Sequence, residues 1–339
     1  MTDRYEIAAV ADLLEDRRRD GREVLGAATV ADYRELFDLG GFDLFVNALP
    51  SPLHVPATIE AMEHGCHVVC EKPMAPTVAD FDRMTVAAEA QGRVLAPFQN
   101  NRLQPFFDKM REVIASGVLG RILHVRSVWG GFRRRWDWQT LQRNLGGALF
   151  NTGPHAIDQA LILFGSDREP DVFCRMDCNH HLGGDADDLC ALTLYDPRRE
   201  APTVEILLTS YQAFEDPYTY TVCGTLGTMR SGAAEVRWRW YDPEQAPRPG
   251  FWENWSVDRK YPDEQLPWSE DVWRLEEESL DQAVGYTLRS LPSGAKRFYL
   301  NVHDVLHARA EPLITTTEVR RQIAVIEECH RQNPLPANG

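Results

Sequence analysis

The chain has 339 residues, enough for two domains with a core in each. Its 43% hydrophobic and 26% charged residues are those of an ordinary soluble protein, and a net charge of −15 argues against non-specific binding to nucleic acid or an anionic membrane. No apolar run approaches the roughly 20 residues of a membrane span, and the amino terminus is no signal peptide.

Ile7 to Asp12 reads as a strand ending in an acid, Leu13 to Arg19 as a helix, and Tyr33 to Leu39 as a second helical segment. Asp43 to Leu49 is the next strand, broken by Pro50-Ser51-Pro52. Helix Leu53 to His64, strand Val68 to Cys70, helix Thr77 to Ala90 and strand Arg93 to Pro97 follow. Strands alternating with helices over about ninety residues predict a parallel, doubly wound sheet with right-handed connections. Asp12 has the position and chemistry of the acid that hydrogen-bonds an adenosine ribose, although an Asp ending a strand also serves as a helix N-cap. A dinucleotide fold needs a first strand and a G-x-G-x-x-G turn roughly twenty residues before that acid. Only eleven residues precede Asp12 and none is glycine, so we expect an incomplete Rossmann-type sheet that starts at its second strand.

After helix Gln104 to Ser116 the texture changes. Ile122 to Trp129 alternates as a half-exposed strand, and similar segments recur at Val172–Asp177, Leu189–Tyr195, Thr203–Ser210, Tyr218–Cys223 and Glu235–Tyr241. With a helix around residues 148–164 they predict an α+β domain on a large, mainly antiparallel sheet. One face should be covered by helices and the other left open, suited to an interface between subunits. Pro243 to Trp268 reads as a long surface excursion, and Ser269 to Leu291 and Thr317 to Gln332 as scaffold helices. We place a dinucleotide-binding domain at residues 1–100 and a substrate and oligomerisation domain at 101–339, its last helix returning to the first domain. The seven cysteines are odd in number, and several lie in strand-like runs (Cys70, Cys190, Cys223), which fits reduced thiols in the cytoplasm. Cys174 and Cys178 with His180 and His181 come nearest to a metal set, but no second pair has ligand spacing and we expect no metal.

Two constellations carry chemistry. His67-Val68-Val69-Cys70-Glu71-Lys72-Pro73 is a buried strand stopping at a turn, so Lys72 sits at the carboxyl end of a strand, where open α/β sheets place ligands. Pro73 holds Lys72 extended and makes the bond between them a candidate cis peptide. A Lys held so suits donating to a substrate oxygen, or carrying a proton once burial lowers its pKa; the plain alternative is a surface turn with an ion pair. Further on, Asn151, His155 and Asp158 fall at i, i+4 and i+7 of one helix face, with Pro154 either starting that helix or kinking it. His155 near Lys72 suits removing a proton from an alcohol as hydride leaves the same carbon. The plain alternative is a core histidine satisfied by Asn151 or Asp158.

Ala9-Val10-Ala11-Asp12, Asn47 to His54, Cys70-Glu71-Lys72-Pro73, Gly146-Gly147 with Gly153-Pro154-His155-Ala156-Ile157-Asp158, and Gly224 to Thr228 together resemble the glucose–fructose oxidoreductase / inositol dehydrogenase (Gfo/Idh/MocA) family of NAD(P)-dependent sugar and polyol oxidoreductases. The resemblance covers nearly the whole chain. It implies that Lys72 and His155 are catalytic with Asn151 beside them, and that the turn from Leu49 and Pro50 through Ser51 to His54, with Glu71, flanks the nicotinamide. It places Asp12 at the cofactor ribose; a carboxylate there repels a 2′-phosphate and favours NAD, while Arg17 and Arg18 leave NADP open. A homodimer or homotetramer through the open sheet face is implied as well. Arg102, Trp136, Trp138, Asn151 and Asp158 are the residues we expect at a carbohydrate or polyol, since aromatic faces with polar neighbours suit a sugar; the tryptophans suit packing equally.

Two departures from the family pattern matter. Members with a full proton relay often carry an aspartate four residues before the histidine; Asn151 stands here, an amide that orients a hydroxyl but accepts no proton at neutral pH. The absent Gly-rich unit takes with it a central strand and the amides for the pyrophosphate, which a late start codon, a truncated product or loss of the cofactor would each explain. Beside the oxidoreductase stand two rivals: a catalytically silent scaffold binding no dinucleotide, and a family glycosidase that recycles NAD during elimination and addition at the sugar.

Overall fold

The computed structural model describes residues 3–166, 168–179, 183–214, 216–248, 250–251, 264–276 and 293–336. Its first half alternates strand and helix: β1 (Ala9–Ala11), α1 (Glu15–Leu25), β2 (Ala28–Val30), α2 (Glu35–Leu39), β3 (Leu44–Asn47), α3 (His54–Glu63), β4 (His67–Cys70), α4 (Val78–Gln91) and β5 (Leu95–Pro97). All pairing is parallel, but it comes in two pieces, β1–β2 and β3–β4–β5. In the doubly wound order 3-2-1-4-5-6 these pieces take the places 3-2 and 4-5-6. No described strand stands between β1 and β3, as expected of the incomplete sheet. Sequence reading did not foresee β2, whose three residues are too few to show a period.

β4 is the centre of this half. Val68, Val69 and Cys70 are fully buried beneath Ala57, Ala61 and Met62 of α3 and Phe81 and Met84 of α4. The side chain of Thr77 starts α4 by accepting the Asp80 N–H at 3.1 Å. The same core is closed by the end of the chain, where α8 (Ser293–Leu306) and α9 (Thr316–Gln332) supply Phe298, Val302, Val319 and Ile323. A capping box at Thr315 and Glu318 fixes the start of α9.

The second half is built from α5 (Pro105–Ala115), β6 (Ile122–Gly130), α6 (Ala148–Asn151), α7 (Gly153–Phe164), β7 (Asp171–Asp177), β8 (Leu189–Tyr195), β9 (Thr203–Thr209), β10 (Tyr220–Gly224), β11 (Gly227–Ser231), β12 (Glu235–Tyr241) and β13 (Trp268–Arg274). Eight strands form one sheet in the order β13-β12-β11-β10-β6-β9-β8-β7, antiparallel except where β6 meets β9. Register makes its two faces legible. One cross-strand row reads Cys174, Leu192, Ile206, Ser127, Tyr220, Ser231, Val236 and Trp273, nearly all buried; the next reads Phe173, Thr193, Glu205, Arg126, Thr221, Arg230, Arg237 and Val272, mostly exposed. Residues of α5, α7 and α9 pack on the first face.

One expectation fails here. Residues 269–274, read as the start of a helix, are most of β13, which pairs along β12 and sets Trp273 opposite Val236. An open sheet edge offers those residues ladder hydrogen bonds that outweigh local helical spacing. The rest of that expected helix (277–291), residues 252–263 of the surface excursion, and His180 and His181 lie outside the described residues. All seven cysteines are free thiols. No helix among the described residues is long and apolar enough to cross a membrane.

Candidate active site

β4 delivers Lys72. The chain leaves the sheet at Glu71, the Lys72–Pro73 bond is cis, and Nζ crosses to the second half, donating to Asn151 O at 2.9 Å and Oδ1 at 3.3 Å. Burial lowers the Lys72 pKa; the charge of Arg135 adds to this and Glu71 opposes it. Glu71 is in turn raised by burial, against the pull of Lys72.

His155 lies one turn beyond Asn151, near the start of α7, with Pro154 in that helix's first turn. Burial, reinforced by the ammonium of Lys72, pushes its pKa down to about 3. Its Nδ1 is buried and has no hydrogen-bond partner among the described residues. The site therefore pairs a fixed cationic donor with a neutral imidazole whose ring nitrogen is open. α9 steadies this corner: Gln322 donates to the carbonyl of Pro154 and accepts from Gln99 at 3.0 Å.

A cavity of about 520 Å³ opens beside this pair, between the end of β6, the loop after it and the entrance of β8. Asn151 lines the cavity and holds Lys72, which, like His155, lies behind Asn151 and is not itself part of the lining. Sequence reading missed Asp187 in the cavity wall. It is 1% exposed, its carboxylate accepts the Leu149 N–H at 2.8 Å, and its carbonyl accepts Ala148 N–H at 2.8 Å. Burial raises its pKa to about 7. Gly147 makes room for it: φ is +100°, and a Cβ there would sit 2.1 Å from Asp187 Oδ1. The acidic run Asp185-Ala186-Asp187-Asp188 at a strand entrance was the available signal.

The other expected site residues divide. His54 clamps the turn beside Lys72, its Nδ1 2.7 Å from Pro73 O and its Nε2 2.8 Å from Leu49 O, with Ser51 buried and Pro50 exposed in that turn. Asp12 ends β1 with Oδ1 accepting the Leu14 N–H at 2.8 Å, and Arg17 is exposed on α1. Arg102 and Asp158, expected at the sugar, are instead buried against each other at 2.5 and 3.0 Å, with Glu318 at 2.8 Å, and neither lines the cavity. Trp136, 74% exposed, and Trp138 lie between Arg135 and Gln139, which line the cavity, but are not themselves in its lining.

Comparisons with known proteins agree with this layout. Residues 1–99 match the oxidoreductase family with an NAD-binding Rossmann fold, and residues 107–230 match the Gfo/Idh/MocA carboxyl-terminal domain. The uncharacterized oxidoreductase YdgJ of Escherichia coli is 27% identical over 302 residues, 88% of this chain and 81% of its own. The scyllo-inositol 2-dehydrogenase (NADP(+)) IolW of Bacillus subtilis is 29% identical over 166 residues, 48% of this chain and 46% of its own. Among solved structures, the WlbA dehydrogenase of Bordetella pertussis in complex with NADH and UDP-GlcNAcA superposes with a TM-score of 0.72 at 21% identity, covering 100% of this chain and 92% of that one. The NAD-binding protein of Listeria innocua gives 0.73 at 23%, covering 95% and 88%. Two domain matches in the expected order, on a fold shared along the whole chain, establish that the protein belongs to the Gfo/Idh/MocA family of oxidoreductases with an NAD-binding Rossmann domain.

Proposed function

We propose that the protein oxidises or reduces a hydroxyl-bearing carbon of a sugar, polyol or derivative, with NAD as the hydride partner. The observation that carries this reading is Lys72, held by Asn151 across the two halves, with the neutral His155 one turn away.

The residues present fit a dinucleotide at its two ends. Asp12 at the end of β1 suits the ribose and favours NAD over NADP, and the clamped turn beside Lys72 suits the nicotinamide. The pyrophosphate between them is not matched: it needs the glycine-rich turn and helix that follow the first strand, no such unit stands between β1 and β3 among the described residues, and α1, which follows the second-strand position and opens on Glu15 and Asp16, does not replace it. When bound, the nicotinamide supplies the hydride acceptor or donor.

Lys72 donates a hydrogen bond to the substrate oxygen and fixes its position, with Asn151 holding the ammonium in place. His155 accepts the hydroxyl proton. A base of such low pKa is adequate because that proton turns strongly acidic as the carbon–hydrogen bond breaks. Asn151 orients and accepts no proton. The open face of the large sheet, with Phe173 and Tyr195 exposed, is the surface we assign to self-association.

The test begins with NADH titrated into the purified chain by fluorescence, NADPH as the control, followed by turnover of a polyol panel. Micromolar NADH binding is expected. His155→Ala should then lower kcat by roughly 10²–10⁴-fold and Asn151→Ala by far less. Equal losses would remove His155 from the role of base. No binding by a folded chain at millimolar NADH would favour the silent scaffold. Cleavage of an aryl glycoside without net NADH would favour the glycosidase.

A further inference from the structure

The cavity wall is charged in an uneven way. Three carboxylates line it, and each is engaged by the protein: Asp187 by the Leu149 N–H, Asp188 by the Tyr211 hydroxyl, and Asp216 by the Tyr218 N–H at 3.0 Å. Three successive arginines line it too. Arg135 is bound through Nε and Nη2 to Asp137, at 3.0 and 2.7 Å. Arg133 and Arg134 are exposed, and neither makes an ion pair among the described residues.

These two are not on a loose tip. The Arg133 N–H donates to Ser210 O at 3.0 Å, Phe132 bridges to Tyr211, and Asp137 caps the turn that follows. The backbone is thus pinned on both sides of two guanidiniums without an ion pair among the described residues, at the wall of a cavity that also includes Asn151, the residue that holds the Lys72 ammonium. A neutral sugar gives such groups little to do, because a guanidinium offers donors in a rigid fork that matches a carboxylate or phosphate. In a chain of net charge −15, an acidic ligand is repelled at long range and needs a local positive wall to settle.

We propose that the substrate is an acidic sugar derivative, whose carboxylate or phosphate is received by Arg133 and Arg134 while its reacting hydroxyl lies at Lys72 and His155. This rests on the oxidoreductase reading above and names the substrate class of the same site.

Calorimetry on the 339-residue chain tests it, with D-glucuronate, glucose 6-phosphate and D-glucose titrated in the presence and absence of NADH. One of the two acids should bind, and which one does distinguishes a carboxylate from a phosphate. Arg133→Ala/Arg134→Ala should weaken that binding roughly tenfold to a hundredfold, the size of one or two lost charge-assisted hydrogen bonds, and leave NADH binding unchanged. Arg133→Lys/Arg134→Lys should recover part of the loss, and added salt should weaken the wild type more than the alanine variant. The assignment is overturned if glucose binds as well as both acids, if the alanine variant binds the acid undiminished, or if no acid binds at millimolar concentration. Acid that binds through the arginines but is never oxidised, in wild type or Lys72→Met alike, overturns the oxidoreductase reading and leaves the anion site standing. Turnover of neutral polyols alone does the reverse.

Discussion

The two halves meet at Lys72 and Asn151, yet they are built to different degrees of closure. In the second half eight strands form one uninterrupted sheet, and a buried row runs across all of them from Cys174 to Trp273. In the first, the parallel strands stand in two pieces, and Leu13, Leu14 and Val46 around the interruption are 81%, 63% and 45% exposed. The second half is thus one continuous sheet with helices packed on its buried face, while the first rests on two separate pieces and on α8 and α9 arriving from the far end of the chain. The proposed catalytic geometry rests on contacts that join the halves, Lys72 to Asn151 first among them.

The largest effect should come from breaking such a join. Arg102, in the turn before α5, holds Asp158 of α7 and Glu318 of α9 at once, with side-chain exposures of 6% for Arg102 and 2% for Asp158. Asp158→Ala leaves a buried guanidinium short of its main partner and should cost about 3–5 kcal/mol in urea unfolding. Arg102→Met/Asp158→Leu should cost clearly less, because both charges leave together. A double variant as unstable as the single one would mean that shape, and not charge, governs the site.

The pH dependence of stability sharpens the comparison inside the site. His155 is neutral in the folded chain down to about 3 but titrates near 6.5 when unfolded, so between those values the unfolded chain binds more protons and stability rises with pH. Asp187 is the opposite case. Folded, it keeps its proton up to about 7, against 3.8 for the ordinary carboxyl, so over that window it makes stability fall as pH rises. Relative to wild type, Asp187→Asn should add a rising slope of up to about 1.4 kcal/mol per pH unit between pH 4 and 7, and His155→Gln a falling one below pH 6.5. His54 and His330, also lowered by burial, contribute to every variant alike and cancel in these differences. Difference curves with the same sign would refute one of the two assignments.

What sequence could and could not foretell follows from the range of the forces involved. Strong alternation gave away β6 to β10 and β12, and the Glu-Lys-Pro turn and the Asn151–His155 spacing located the meeting point of the halves, because both are local patterns. The fate of Arg102 and Asp158 was not local: spacing put Asp158 on the face of His155, but Asp158 faces a guanidinium that lies 56 residues earlier in the chain. Asp187 was hidden for the same reason, since its partner amides belong to α6 and its value to the site depends on Gly147 lacking a side chain. β13 was lost to a helical spacing that a neighbouring strand edge overrode.

The smallest expected effect probes the interruption itself. Val46 of β3 and Val69 of β4 are direct partners in a parallel ladder, and their side chains leave the sheet on the same face. Yet Val69 is 0% exposed and Val46 45%. The difference arises because Val69 has strands on both sides and the core above it, whereas β3 has a partner on one side alone among the described residues. Val69→Ala should therefore cost roughly 2 kcal/mol through lost burial and the space left behind, and Val46→Ala within about 0.5 kcal/mol of nothing. If Val46→Ala proves as costly as Val69→Ala in the purified chain, its side chain is covered in solution, and the edge of β3 is occupied by something packed as closely as a strand.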